Sequence, residues 1–535
     1  MPKRLLAAVG SIFHVEFVLA EEINSAGLDA ALLFGVPRDE AEKFAQRGVR
    51  SMAFLPDSSP IAPGDNEIKF SAASFLAQCL RSRKLSDKSL THVAPLKAKT
   101  GDEIVASRRD DPFWMHRTEN GVVALDLVAA QPNELSQNDY LYKHLEKDNW
   151  ARLLPLLHFM REVSGWQPPP IRACFMFDDP NLHWKSYGYI RYRELAQHAA
   201  EHNYHAAFAT IPMDSWFVHG ETAAIFREGT DRISLLFHGN NHTYYELTET
   251  NTDRGREALA AQAIRRIERL ERVSGIEVSR AMAAPHGACN SAMGDVLLRC
   301  GFEVACISRS SLMIRNPETP WASQVGMNPA EFLGEGLPVI PRFNIRWDTT
   351  YALFAAFLGQ PIILVGHHDD LASGFNLLEE WAQFINSFGK VSWTDVQSMS
   401  RANFCLRRTD GTLEMEMFSR KVALTVPAGG EQLCIERPWL GDADTEEVVL
   451  ERESGAQTVE TYRGELLPVK PGERLVITSI YPDMIDLSKI STSLPGPWAV
   501  ARRQLCEVRD RFKPVISKLK GGRKQDNAIR YHQPA

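Results

Sequence analysis

Paired cysteines are missing from this chain of 535 residues: its eight cysteines (79, 174, 289, 300, 306, 405, 434, 506) lie scattered, mostly inside apolar segments, and no C-x-x-C occurs. Structural zinc ribbons and thioredoxin-type chemistry therefore have no basis, and the thiols read as buried and reduced in a cytosolic protein. No run of about 18 uninterrupted apolar residues exists, so no transmembrane span is expected. The N-terminus, MPKRLLAAVGSIFHVEFVLAEE, starts like a secretory signal, but His14 and Glu16 break the apolar run and no A-x-A site follows. Cytoplasmic localisation is the expectation. An excess of basic charge is also absent: 60 Lys+Arg against 67 Asp+Glu give a net charge of -7. A nucleic-acid binder would carry a basic footprint, so no nucleic-acid partner is expected. The first glycine-containing turn, VGSIFHV, lacks the G-x-G-x-x-G spacing of a dinucleotide site.

What the chain does have is core-forming material: 44% hydrophobic and 24% charged residues, enough for about two to four soluble domains. Residues 1–150 suggest an α/β accessory domain. RLLAAVG reads as a strand, HVEFVLAEEINSAG as a helix ending at glycine, and LDAALLFG and VRSMAFL as further strands. FWMHRTENGVVALDLVAAQ reads as two strands around an Asn-Gly turn. Residues 149–165 are helical, and QPPP (167–170) is a stiff linker.

Residues 165–397 alternate strands and helices, as a (β/α) barrel or a doubly wound sheet would. The apolar runs IRACFMF, HAAFATI, SLLFH, EVSRAMAA, GFEVACIS, GLPVIPRF and QPIILVG are the strands. Helices are expected at 189–203, 253–274 and 291–300. In either fold, sites form at the carboxyl ends of strands. From 398 to 490, short alternating runs between Gly, Asp and Pro turns read as a β-sandwich-like domain. Residues 491–535 form a basic helical tail, with ten Lys/Arg against three acidic residues from 501 onward. A solvated helix with a frayed end is the plain reading, and weak contact with an anionic membrane surface is the other.

Chemistry collects at the strand ends. Asp178 and Asp179 close the first apolar run, and two adjacent buried carboxylates are costly unless a cation or partner neutralises them. His238 and His242 follow in HGNNH. On one turn of helix they would share a face, and a zinc-like ion takes two imidazoles and a carboxylate and keeps a position for water. APHG (284–287) and GHHDD (366–370) end two later strands.

In this order the motifs resemble the polysaccharide deacetylase (NodB-homology, family 4 carbohydrate esterase) family. FDDP (177–180) matches its Phe-Asp-Asp-Gly. HGNNH matches His-Ser/Thr-x-x-His, with Gly239 replacing the hydroxyl residue. AAPHG matches Arg-x-Pro-x-Gly from Pro285 onward, with Ala283 in the arginine's place. Arg346-Trp347-Asp348 faintly echoes the fourth motif, and IILVGHHDD the fifth, offset by a residue. The resemblance covers residues 168–395.

It implies an α/β multidomain protein around a deformed (β/α) barrel of the glycoside hydrolase/deacetylase type. Asp179, His238 and His242 would hold a divalent ion, with zinc expected. Asp178 would be the base, oriented by Arg342 or Arg346 in place of the missing arginine. His367 or His368 would be the acid. Trp184, Pro285, His286 and Arg342 are the expected substrate-binding residues; Tyr187 and Tyr189 could add aromatic faces, and His183 a further metal neighbour. The implied reaction removes an N-acetyl or similar acyl group from a carbohydrate. Two alternatives remain: a glycoside hydrolase on a related barrel, with Asp369 or Asp370 as second carboxylate, or a degenerate barrel that binds glycan without turnover.

Overall fold

The computed structural model describes residues 2–19, 28–56, 59–62, 66–119, 122–146, 149–440, 446–454, 456–462, 464–492 and 496–519. The expected basic tail therefore lies outside the described residues beyond 519. No helix among the described residues is long and apolar enough to cross a membrane.

The N-terminal part is built on a 7-stranded sheet. Ala31–Phe34 and Ser51–Phe54 pair in parallel, and Val122–Val128 joins them in parallel. The strands beyond run antiparallel, including the Asp111–Glu119/Val122–Val128 hairpin. The segment read as an opening strand is instead a helix, Lys3–Phe13. Its buried Leu5, Leu6, Val9 and Phe13 recur at helical spacing, and packing that stripe against the domain decides the outcome over the apolar content of RLLAAVG.

The centre is a 10-stranded sheet curled into a barrel. Its strands are β1 (Ile171–Asp178), β2 (Ala206–Thr210), β3 (Ile233–His238), β4 (Val278–Ala283), β5 (Val304–Cys306), β6 (Leu337–Ile340), β7 (Phe343–Asn344) and β8 (Ile362–Gly366). Glu331–Leu333 and Val391–Trp393 complete it. The order is β6-β5-β4-β3-β2-β1-β8-β7, all parallel. β6 pairs with β5 and β7 with β8, so the two ends of this parallel run are joined by one short piece of chain, Pro341 and Arg342. Helices wrap the outside, among them Tyr192–Glu201, Asp253–Ser274 and Ser291–Arg299.

The period of two along each strand sorts its residues. Cys174, Met176, Ala207, Ala209, Leu236, Ala281, Ala283, Cys306, Ile340 and Ile363 share the small inner core. Phe175, Phe177, Phe208 and Phe237 belong to the larger core beneath the helices. Small inner residues are what a narrow barrel accommodates.

Two 4-stranded sheets, spanning Phe404–Ile480, face each other over a separate core containing Leu413, Met415, Val422, Leu450 and Ile477. They form the sandwich-like part. The helix Pro497–Leu519 then returns to the barrel and lies across its carboxyl end, rather than standing free in solvent.

Candidate active site

Counting in steps of two along each strand carries the inner row onto the mouth of the barrel. Met176 leads to Asp178, Leu236 to His238, Ile340 to Arg342, and Ile363 through Val365 to His367. The residues that meet at the mouth are therefore the first inward positions above the apolar core.

Asp178 is buried. Arg342 Nη1 donates to both its oxygens, at 3.0 and 2.9 Å, and Nη2 donates to the Ala284 carbonyl at 3.0 Å. Burial works against ionising Asp178, but Arg342, followed by His238 and His367, holds its carboxyl below the usual carboxylate range. The Tyr187 hydroxyl donates to the Asp178 carbonyl at 2.7 Å and fixes the turn. Arg346, the other arginine considered for this place, is exposed and bonded to Asp370 through Nε at 2.6 Å.

The strand ends at Asp178, and Asp179 takes a left-handed φ of 62° that swings its carboxylate towards β3. Asp179 Oδ1 lies 3.6 Å from His238 Nε2 and 3.3 Å from His242 Nε2. The two histidines do not share a helical turn as the H-x-x-x-H spacing suggested. His238 ends β3, and His242 sits in a tight loop with φ 53°. The loop is shaped by the buried Glu246, whose carboxylate accepts the amides of Asn240 (2.7 Å), Asn241 (3.1 Å) and His242 (3.0 Å). Three inward amides on one carboxylate replace the ladder of a helix. Gly239 is required here: its φ is +61°, and a Cβ would stand 2.2 Å from Glu246 Oε1 and 2.6 Å from Pro285 Cγ. A hydroxyl residue has no room at this position.

The three side chains fit a cation. Their ligand atoms all lie within 4.8 Å of one another. His238 Nδ1 is 2.9 Å from the Ala283 carbonyl, which can only accept, so Nδ1 carries the hydrogen and Nε2 turns a lone pair inward. Burial, with help from His238 and Arg503, pushes the His242 imidazole down to about 4 despite Asp179, so it is neutral near pH 7. Burial opposes ionising Asp179 and the charge of Arg503 favours it, yet its Oδ1 is buried without a hydrogen bond. Two lone pairs and an unsatisfied carboxylate oxygen facing one point repel unless a positive charge lies between them.

The two adjacent late histidines face opposite ways. His367 is exposed at the mouth, one step beyond the Phe177–Gly366 pair. His368 is buried on the other side, edge-on to Tyr187 at 4.8 Å, with Nε2 3.7 Å from Asp510. Gly188 makes room for its ring, since a Cβ there would come within 2.3 Å. His286, exposed with φ 54°, has its ring 5.1 Å from that of His242. Pro285 lies under Gly239. Trp184 is 41% exposed beside the aspartates. His183 turns away, with Nε2 2.8 Å from the Asp214 carbonyl. Asp370 is taken up by Arg346 and by the His367 amide at 2.8 Å, so it does not pair with Asp178 as a second glycosidase carboxylate.

Residues of the C-terminal helix at this mouth were not among the sequence candidates. Arg503, buried, donates to Asp214 Oδ2 at 2.9 and 2.6 Å, and Arg502 donates to the His242 carbonyl at 2.6 Å. Glu507 accepts from the Trp184 indole at 2.8 Å. The signal lay in the spacing Arg503, Glu507, Asp510, Lys513, a charged edge at helical period.

No protein-family model matches the chain, and no curated protein matches it. Among solved structures, the carbohydrate deacetylase Agd3 is similar with a TM-score of 0.48 at 9% identity, over 90% of this chain and 98% of that one. A family 4 carbohydrate esterase from Streptomyces lividans has a TM-score of 0.24 at 12% identity, over 42% of this chain and 88% of that one. A polysaccharide deacetylase from Bacillus cereus has a TM-score of 0.24 at 11% identity, over 42% and 91%.

Proposed function

We propose that this protein is a metal-dependent hydrolase that removes an N-acetyl group from a sugar. The observation that carries the reading is the convergence of Asp179, His238 and His242 beside a carboxylate, Asp178, that a buried arginine holds ionised. A divalent ion held by those three residues, zinc by their donor set, would acidify a water and polarise an amide carbonyl.

The rest of the work falls to the chain's own groups. Asp178 takes the proton from the attacking water, and Arg342 aims its carboxylate through the two hydrogen bonds to Asp178. His367, at the open side of the mouth, gives a proton to the departing nitrogen, so that the C–N bond breaks to leave acetate and the free amine. His368 is a packing residue in this scheme, not an acid. His286 and Trp184 border the space for the sugar, and Pro285 supports the His238 loop from below.

The test is metal analysis of the purified protein together with acetate release from N-acetylglucosamine, before and after chelation. Bound metal, acetate release that stops on chelation, and loss of both in His238→Ala are expected. Metal content that is unchanged by His238→Ala, or acetate release indifferent to chelation, overturns the reading.

A further inference from the structure

A hydrolase working on the interior of a polysaccharide needs a groove open at both ends. Here one side of the mouth is occupied. The helix Pro497–Leu519 is anchored on four strands that are neighbours in the barrel. Arg502 bonds the loop after β3 at the His242 carbonyl. Arg503 bonds Asp214 after β2. Glu507 bonds Trp184 after β1, and Lys513 bonds Asp369 after β8. From Arg502 to Lys513 the helix rises about 16 Å, enough to run along the rim over all four strand ends.

Between the helix and the loop after β1 lies a pocket of about 340 Å³. It is lined by Asp179 from the metal-ligand set, by Trp184 and Tyr187 on the β1 side, and by Arg503, Glu507 and Arg511 of the helix. The Arg511 guanidinium stacks on the Trp184 ring, 3.5 Å from its centroid, and joins the helix side of the pocket to the β1 side. That volume is at the small end of the roughly 300–1,000 Å³ of small-molecule sites. The site is narrowed but not sealed, because the Asp179 side chain keeps 22% of its surface exposed with the helix in place.

We infer that the C-terminal helix is a wall of the substrate site that restricts the enzyme to a single terminal N-acetylated sugar unit, free or at a chain end. The inference rests on the proposed deacetylation for its chemistry, but the pocket's preference for one unit is a property of binding and can be measured without turnover.

The test measures binding of N-acetylglucosamine, its β-1,4-linked dimer and its hexamer to the metal-loaded full chain by calorimetry, alongside mass-spectrometric mapping of which units lose acetyl. The full chain should bind the three within a few-fold of one another and deacetylate only a terminal unit. The Arg502→Glu/Lys513→Glu variant, which unseats the helix, and a chain ending at Gly496 should bind the hexamer roughly ten- to a hundredfold more tightly than the monomer and attack interior units. Affinity that rises with oligomer length in the full chain, interior deacetylation by the full chain, or failure to bind any of the three overturns the inference, whether or not the shortened chain folds. Length-independent binding without acetate release leaves the one-unit pocket standing and removes the deacetylase reading instead.

Discussion

Replacing Arg342 with methionine removes the only cation bonded to Asp178 among the described residues, at a carboxylate that is itself buried. Methionine fills most of the vacated volume, so the loss is mainly electrostatic. Deleting one partner of a buried ion pair costs about 3–5 kcal/mol, because the other charge stays buried and unpaired. The Ala284 carbonyl also loses the donor it had at 3.0 Å, which adds about 1 kcal/mol. Catalysis should suffer separately: a base carboxylate free to swing from its position loses roughly a hundredfold in kcat. Urea unfolding of wild type, Arg342→Met, Asp178→Asn and the double variant, at one pH and with zinc saturating, forms the cycle that isolates the pair. The double variant, with neither charge, should recover most of the stability that Arg342→Met loses. It should stay inactive, since the carboxylate is gone. If the two substitutions add independently in stability, or if Arg342→Met turns over like wild type, the role given to this arginine is wrong.

Other outcomes follow from the same geometry. Gly239→Ser forces a side chain into a left-handed backbone against the Glu246 carboxylate; it should cost about 2–4 kcal/mol in denaturant unfolding and lower zinc content, by freeing the loop that carries His242. His238→Ala should reduce zinc from about one per chain to near none and abolish the rise in Tm that added zinc gives the wild type. Gly188→Ala should displace His368 and Tyr187, destabilise by about 1–3 kcal/mol, and lower metal content by loosening the Asp178–Asp179 turn that Tyr187 holds. Glu331, far along the chain from these groups, supplies a pH dependence. Burial pushes its carboxyl up to about 7, against the amides of Gly326 and Asn328 and the charge of Arg309. A folded-state value above the unfolded one means that the stability is fully present below about pH 4.3 and is lost as pH rises through 7. Glu331→Gln should flatten that fall, worth about 1–3 kcal/mol between pH 5 and 8, in unfolding measurements across the range.

How much of this could be read from the residues depended on whether the pattern was local. The strand ending in Asp178 and the helix Asp253–Ser274 carry their periodicity within themselves, and the sequence reading and the structure agree on them. Lys3–Phe13 carries an apolar stripe that serves a helix as well as a strand over so few residues, and its neighbours chose the helix. The H-x-x-x-H pair misled about local structure because the loop is set by Glu246, which no spacing rule connects to the histidines. The C-terminal helix was harder still. Its apolar residues Leu505, Val508, Phe512 and Val515 are exposed, and its charged edge is what meets the barrel, the reverse of the usual amphipathic arrangement. Arg503 and Asp214 are 289 residues apart, so nothing local announces their contact.

One departure from the family pattern has a physical explanation in the barrel itself. The resemblance placed an arginine where Ala283 stands, at the inward end of β4. The structure has no side chain of any length there, and the guanidinium of Arg342 comes in from the short connection between β6 and β7, close enough to bond the Ala284 carbonyl. The two positions lie on different strands, Ala283 level with Ile340 and Arg342 two residues beyond it, so a long side chain at 283 would rise towards the space that the Arg342 guanidinium fills beside the Ala284 carbonyl. A long side chain at 283 and another at 342 would compete for that space, so the small residue at one is the condition for the arginine at the other. Introducing Ala283→Arg into the wild type should therefore destabilise by overpacking, about 1–3 kcal/mol. In an Arg342→Ala background the same substitution should cost less and restore part of the activity. Equal destabilisation in both backgrounds would mean that the two positions do not share one site.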